Sequence, residues 1–340
     1  MERVATRVTP VRWRDGLELL DQRLLPHRVQ WLRPQGAADA AHLIRDLAVR
    51  GAPAIGIAAA YALAQQARQT PHLGRLRAAA ARLAAARPTA TNLRWAVARV
   101  LAAATAAPPA ARAAAALAEA RAIHEEDAAA CLAIGAHGAE LFSGRVAILT
   151  HCNAGALATG GIGTALGVVR TLHAQGRLVR LYACEARPVL QGARLTVWEA
   201  MRDGIPVTLL ADSAAASLLA SGAVQGVVVG ADRIAADGSV ANKVGTYPLA
   251  VVAHRHGVPF VVAAPVSTFD LHCPDGAAIP IEQRGAAEVQ RCGGARVAPR
   301  AVAVFNPAFD VTPAELVTAI VSERGVARPV EAQQVARIGR

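Results

Sequence analysis

Between about residues 37 and 140 the apolar positions recur at helical spacing. The stretches AADAAHLIRDLAVR, AIGIAAAYALAQQARQ, LGRLRAAAARLAAA and ALAEARAIHEEDAAACLAIGAHGAELF set Leu and Ile among Arg and Glu on an alanine background. Alanine has the best intrinsic helix propensity, and proline appears only at the breaks: Pro53, Pro71, Pro88, Pro108 and Pro109. From about residue 145 the period changes to short apolar runs: VAILT (146–150), VRLYAC (179–184), VTLLA (207–211), GVVVGA (226–231), FVVAA (260–264) and VAVFN (302–306). Each is followed by a loop and usually by a helical stretch, the pattern of βαβ units around a buried parallel sheet. The expected fold is α/β: an N-terminal mainly helical domain (1–140), then a Rossmann-like doubly wound parallel sheet domain (141–340). In such sheets ligands bind beyond the carboxyl ends of the strands, so chemistry is sought there.

Length and composition support two domains. The chain has 340 residues, 54% of them hydrophobic and only 4% aromatic, so Ala and Val fill the core in place of rings. The formal charge of +11 permits an anionic partner. The basic residues are scattered, mostly Arg, with no block of the kind that forms a nucleic-acid arm, so most of this charge reads as solvated surface. The residues from Met1 to Gly16 carry charges throughout and do not read as a secretory leader, and no apolar run approaches the roughly 18 residues of a spanning helix. Five cysteines, an odd number without a C-x-x-C pair, read as thiols of a reduced, cytoplasmic protein.

The strand ends carry the candidate residues. After the first run, THCNAGALATGGIGTALGVV (150–169) places His151, Cys152 and Asn153 at the sheet edge, with Gly155, Gly160, Gly161 and Gly163 before a helix. A glycine-rich turn opening a helix can hold an anion. It lacks the G-x-G-x-x-G spacing and the acidic partner of a dinucleotide site. Cys152 reads either as a small buried hydrophobe or as an activated thiol. Glu185, Arg187, Gln191 and Arg194 crowd the loop after the second run, as gripping groups or as a helix cap with surface ion pairs. Asp232 ends the fourth run; in a shielded pocket its carboxyl could act as a general acid, and otherwise it caps a helix or pairs with Arg233. Asn242 and Lys243 follow. Thr312 before Pro313, with Glu315, reads as a helix cap and start. Arg50 with Gly51, and Arg87, stand at helix starts, as ordinary termini or as a phosphate clamp. His151 and Cys152 are adjacent and not at ligand spacing, so no metal site is expected.

Taken together, LELLDQRLLP (17–26), VRGAPAIG, RPTATNL, THCNAG, ARPVLQGARLT, GADR, NKVGTY, VAAPVSTFD, IPIEQR (279–284) and NPAFDVTP (306–313) resemble the methylthioribose-1-phosphate isomerase family across nearly the whole chain. That family's relatives include the regulatory subunits of initiation factor 2B and ribose-1,5-bisphosphate isomerase. The resemblance implies a catalytic thiol at Cys152 and a proton-donating acid at Asp232. It also implies substrate-binding positions at Arg50, Gly51, Ala52, Arg87, Gln191, Asn242 and Lys243. The implied reaction is aldose-to-ketose isomerisation of 5-methylthioribose 1-phosphate in methionine salvage, with no cofactor and no metal, by a cytoplasmic homodimer without nucleic-acid or membrane partners. The alternatives are an isomerase of 5-deoxyribose 1-phosphate or ribose 1,5-bisphosphate, and a non-catalytic regulatory subunit. The sequence departs from the family at Ala186 (EARP for ETRP) and Gln283 (IPIEQR for IPIEER).

Overall fold

The change of pattern near residue 145 is a change of architecture in the computed structural model, which describes residues 4–87 and 91–340. Pro88, one of the expected breaks, and the Pro-Thr-Ala of the RPTATNL segment lie outside the described residues. The chain divides into two compact units. One comprises Thr6–Cys131 and Gly155–Gly163; the other comprises Leu132–Ala154 and Thr164–Arg340, with Val4 and Ala5. Texture placed the division at 140/141, where the long helix Arg112–Glu140 ends; the units part within that helix, at Leu132.

In the helical unit, Ala37–Arg45, Ala52–Gln69, Leu73–Ala84 and Thr91–Ala106 are helices. Their core sets Ala40, Ala41, Ala58, Ala59 and Ala60 beside Ile44, Leu63, Leu76, Leu83 and Leu93. Alanine leaves room for close approach, while each buried Leu or Ile contributes about 2 kcal/mol. Pro53 stands in the first turn of its helix, where a missing N–H costs nothing. A small antiparallel sheet of Val11–Trp13, Leu17–Leu20 and Trp31–Leu32 was not anticipated, because strands of two to four residues are too short to show a period.

The other unit is built on a seven-stranded sheet. Five of the six predicted runs are strands in it: Val146–Thr150, Leu178–Cys184, Val207–Leu210, Gly226–Val229 and Phe260–Ala263. All five are parallel. Val146–Thr150 lies inside the sheet, with Leu178–Cys184 and then Val207–Leu210 on one side. The chain then crosses over, and Gly226–Val229, Phe260–Ala263, Ala319–Ser322 and Gly325–Ala327 come next on the other side, the last antiparallel. The order therefore reverses between the first and fourth strands, the topological switch point where doubly wound sheets bind ligands.

Two expectations are corrected. VAVFN (302–306) is not a strand: Val302 and Phe305 are exposed, Phe305 by 82%. The sixth parallel position belongs to Ala319–Ser322, buried throughout. Thr312 does not cap a helix either. It ends the strand Phe309–Thr312, which pairs with Val240–Lys243 in a second sheet, and its buried hydroxyl has no hydrogen-bond partner. Only a short 3-10 turn, Ala314–Leu316, comes after Pro313; strand pairing overrode the local capping signal.

Candidate functional site

The two strands flanking the switch point, Val146–Thr150 and Gly226–Val229, lead into Cys152 and Asp232. Ile148 stands opposite Gly226, and Leu149 opposite Val227. The Thr150 hydroxyl fastens the two strands by donating to the Val228 carbonyl at 2.7 Å. Cys152 comes just after, as the chain leaves the sheet, half-buried and at φ 63, a left-handed conformation that strains any residue but glycine. Asp232 leaves the neighbouring strand and is tied by its own N–H to the Ala241 carbonyl at 2.9 Å. The shielded pocket expected around its carboxyl is not found, since Asp232 is exposed. It stands before the strand Arg233–Ala235, not a helix, and Arg233 pairs with Asp270 at 2.9 Å.

Backbone bonds bring the other sheet-unit candidates to the same edge. Ala241 precedes Asn242 and Lys243, both buried at the end of Val240–Lys243. The Asn242 amide donates to the Thr246 hydroxyl at 3.1 Å, and that hydroxyl donates to the Lys243 carbonyl at 2.7 Å, closing the turn into the helix Thr246–Arg255. Asp310 completes this corner by accepting from the Gly245 and Tyr247 amides at 2.6 and 3.1 Å. Burial pushes the Asp310 carboxyl up, against the lowering effect of those amides. Gln191 is buried at the start of a π-helical turn, Gly192–Thr196. A side chain at Gly192 is impossible, because a Cβ there would lie 1.7 Å from the Cys184 carbonyl oxygen.

His151 knots three of these segments together. Its Nε2–H donates to the Val244 carbonyl at 2.9 Å, next to Lys243. The second ring nitrogen, Nδ1, lies 3.9 Å from an Asp212 carboxylate oxygen, beyond hydrogen-bond distance. Asp212 in turn accepts from the Ala186 and Arg187 amides at 2.8 and 2.7 Å and so holds the loop that leads to Gln191. Gly245, at φ 105, is needed here: a Cβ would come within 2.9 Å of the His151 ring. Burial, opposed by the Val244 carbonyl and Asp212, lowers the pKa of His151, and Lys243 lowers it further. Burial pushes the Cys184 thiol up to about 12. The donor atoms of His151, Cys184 and Asp212 lie within 4.8 Å of one another, a grouping that chain spacing did not reveal. The roles of Asp212 and His151 were missed by sequence reasoning because neither their loop partners nor the strand order can be read along the chain.

In the helical unit, Arg50, Gly51 and Ala52 open the helix Ala52–Gln69, and Arg87 comes after Leu73–Ala84 and a short turn. Gly51, at φ 86, admits no other residue, since a Cβ would lie 2.4 Å from the Ala158 backbone. The glycine-rich segment is fixed there: Gly160 N–H donates to Asp127 at 2.6 Å, and His124 bonds the Gly160 carbonyl at 3.1 Å. No described helix is long and apolar enough to cross a membrane.

Comparison with known proteins agrees with this architecture. A protein named methylthioribose-1-phosphate isomerase from Anaeromyxobacter sp. (strain K) is 60% identical over 325 residues, 96% of this chain and 94% of that one. A 5-deoxyribose 1-phosphate isomerase from Moorella thermoacetica is 51% identical over 341 residues, 97% of each. The crystal structure of 5-methylthioribose 1-phosphate isomerase from Pyrococcus horikoshii OT3 is similar at a TM-score of 0.94 and 42% identity, covering 98% of this chain and 96% of that one. With residues 48–329 matching its family model, the chain belongs to the Initiation factor 2 subunit family.

Proposed function

We propose that this protein is an aldose-ketose isomerase that converts 5-methylthioribose 1-phosphate to 5-methylthioribulose 1-phosphate in methionine salvage. The observation that carries this reading is that the strands leading to Cys152 and to Asp232 are neighbours at the switch point. The similarity to isomerases at up to 60% identity over nearly the whole chain supports it.

A C1 phosphate locks the sugar as a furanose, so ring opening needs a proton on the ring oxygen. Asp232 is assigned as its donor. Cys152 then either relays the C2 hydrogen to C1 as a proton or stabilises the polarised carbons during a hydride shift. Solvent deuterium enters product C1 in the first course and stays out in the second. Gln191, Asn242 and Lys243 are assigned to the sugar hydroxyls and phosphate from the sheet domain. Arg50, Gly51, Ala52 and Arg87 are assigned from the helical domain, since guanidinium groups and helix-start amides suit a phosphate. A cytoplasmic homodimer completes the reading; five free cysteines suit a reducing compartment.

A second reading, 5-deoxyribose 1-phosphate as substrate, is favoured by the 51% identity to the Moorella enzyme. Steady-state turnover of the purified protein on both compounds and on ribose 1,5-bisphosphate separates the readings. The methylthio sugar is expected to have the highest kcat/KM. A higher value for the deoxy sugar establishes the second reading, and no turnover of any of them leaves a binding subunit.

A further inference from the structure

A strained backbone at a reacting residue has to be held by its surroundings. At Cys152 part of that restraint comes from buried side chains between residues 170 and 203. The Thr196 hydroxyl donates to the Cys152 carbonyl at 2.5 Å and accepts from the Asn153 carboxamide N–H at 3.1 Å. The same carboxamide nitrogen donates to Glu199 Oε1 at 2.6 Å. The other oxygen of Glu199 accepts from Arg170 at 2.8 Å, and Arg170 also bonds Asp203. Thr196 and Glu199 are fully buried and Arg170 nearly so. Attraction to Glu199 and Asp203 keeps the guanidinium charged against the effect of burial.

The position of this network along the chain is informative. Thr196 ends the π-helical turn Gly192–Thr196, which begins directly after Gln191. Such turns insert one residue into a helix and rotate its remaining residues by about 100°. The extra residue lets one segment present Gln191 at its start and turn Thr196 and Glu199 toward Cys152 and Asn153. The absence of a side chain at Gly192 lets that turn seat against the end of Leu178–Cys184.

We propose that Thr196 and Glu199 are positioning residues for the isomerisation, fixing the Cys152–Asn153 tip in its left-handed conformation so that the thiol meets the substrate carbons. They act through the Cys152 carbonyl and the Asn153 side chain. This inference rests on the assignment of Cys152 as the catalytic thiol.

The test compares Thr196→Val, Thr196→Ser and Asn153→Ala with Cys152→Ser in the full-length protein, reading kcat, KM and thermal midpoint. Thr196→Val keeps shape and loses the donor. It is expected to lower kcat by about 10- to 100-fold with KM within about twofold, as for a misplaced reacting group. Thr196→Ser restores the hydroxyl and most of kcat. If Thr196→Val does not fold, Asn153→Ala decides, because Asn153 is only half-buried. Its kcat is expected to fall with KM retained. Normal kcat in whichever of these folds, or a KM change as large as the kcat change, overturns the proposal. A Cys152→Ser variant with normal activity would instead remove the underlying assignment, which keeps the two failures distinct.

Discussion

The two strand tips at the switch point are held by different means. At the Cys152 tip the backbone is strained, and a side-chain network holds it, from Thr196 and the half-buried Asn153 through buried Glu199 to Arg170. At the Asp232 tip the main chain does the holding: Asp232 N–H is bound to Ala241, and the antiparallel pair Arg233–Ala235 and Val240–Lys243 continues the restraint. The Arg233–Asp270 ion pair beside it is about one third exposed on both sides. A tip held by buried charge is sensitive to single substitutions, whereas a tip held by backbone bonds tolerates them. Arg170, Glu199 and Asp203 near the thiol are therefore expected to matter more to the fold than the partly exposed Arg233–Asp270 pair near the acid.

The largest effects come from the tips themselves and should be equal. Cys152→Ser and Asp232→Asn are each expected to lower kcat by about 10²–10⁴, the usual range for a proton-transfer group, without lowering the thermal midpoint. A variant with near-normal turnover has no such group at that position.

Next in size is a stability effect confined to the Cys152 side. Arg170→Ala strands two buried carboxylates and is expected to cost about 3–5 kcal/mol in urea unfolding. A loss below about 1 kcal/mol would erase the contrast between the tips.

A smaller effect depends on pH. His151 is neutral in the fold, with a pKa below its ordinary value of 6.5, chiefly through burial. Above pH 6.5 folded and unfolded chains both hold a neutral ring, so its contribution to stability is complete there. Below it the unfolded chain takes up the proton first, and stability falls as pH drops toward the folded value. His151→Gln is therefore expected to flatten the decline of urea stability below pH 6.5. An unchanged slope would show that His151 is charged in the fold.

The smallest effect tests the other side. Arg233→Ala removes a solvent-screened ion pair and is expected to change stability by no more than about 1 kcal/mol. A loss comparable to that of Arg170→Ala would mean that the Asp232 tip also depends on charge.

Much of the fold was legible along the chain because buried parallel strands are continuous apolar runs, and five of them read correctly. VAVFN misled because an apolar run between Pro299 and Pro307 looks like a strand whether or not a neighbour covers it, and here Phe305 faces solvent. Thr312 misled because Thr-Pro-x-Glu favours a helix start locally, while pairing with Val240 decided the strand. Ala319–Ser322 went unread because four residues carry too little periodicity to outweigh a helix signal just before them. Cys152, Asp232, Gln191, Asn242 and Lys243 were visible as polar residues after strands, whereas Thr196, Glu199, Arg170 and Asp212 look like ordinary helix polars.

The order of residues alone determined which groups stand at strand ends, since alternation of apolar runs and loops is a local property. It also determined that Gly51, Gly192 and Gly245 carry no side chain. Tertiary structure decided which strand ends are neighbours, because the reversal of strand order between Val146–Thr150 and Gly226–Val229 depends on long-range pairing. It likewise decided the left-handed turn at Cys152, a conformation that a cysteine does not favour and that bonds to residues distant along the chain help to hold.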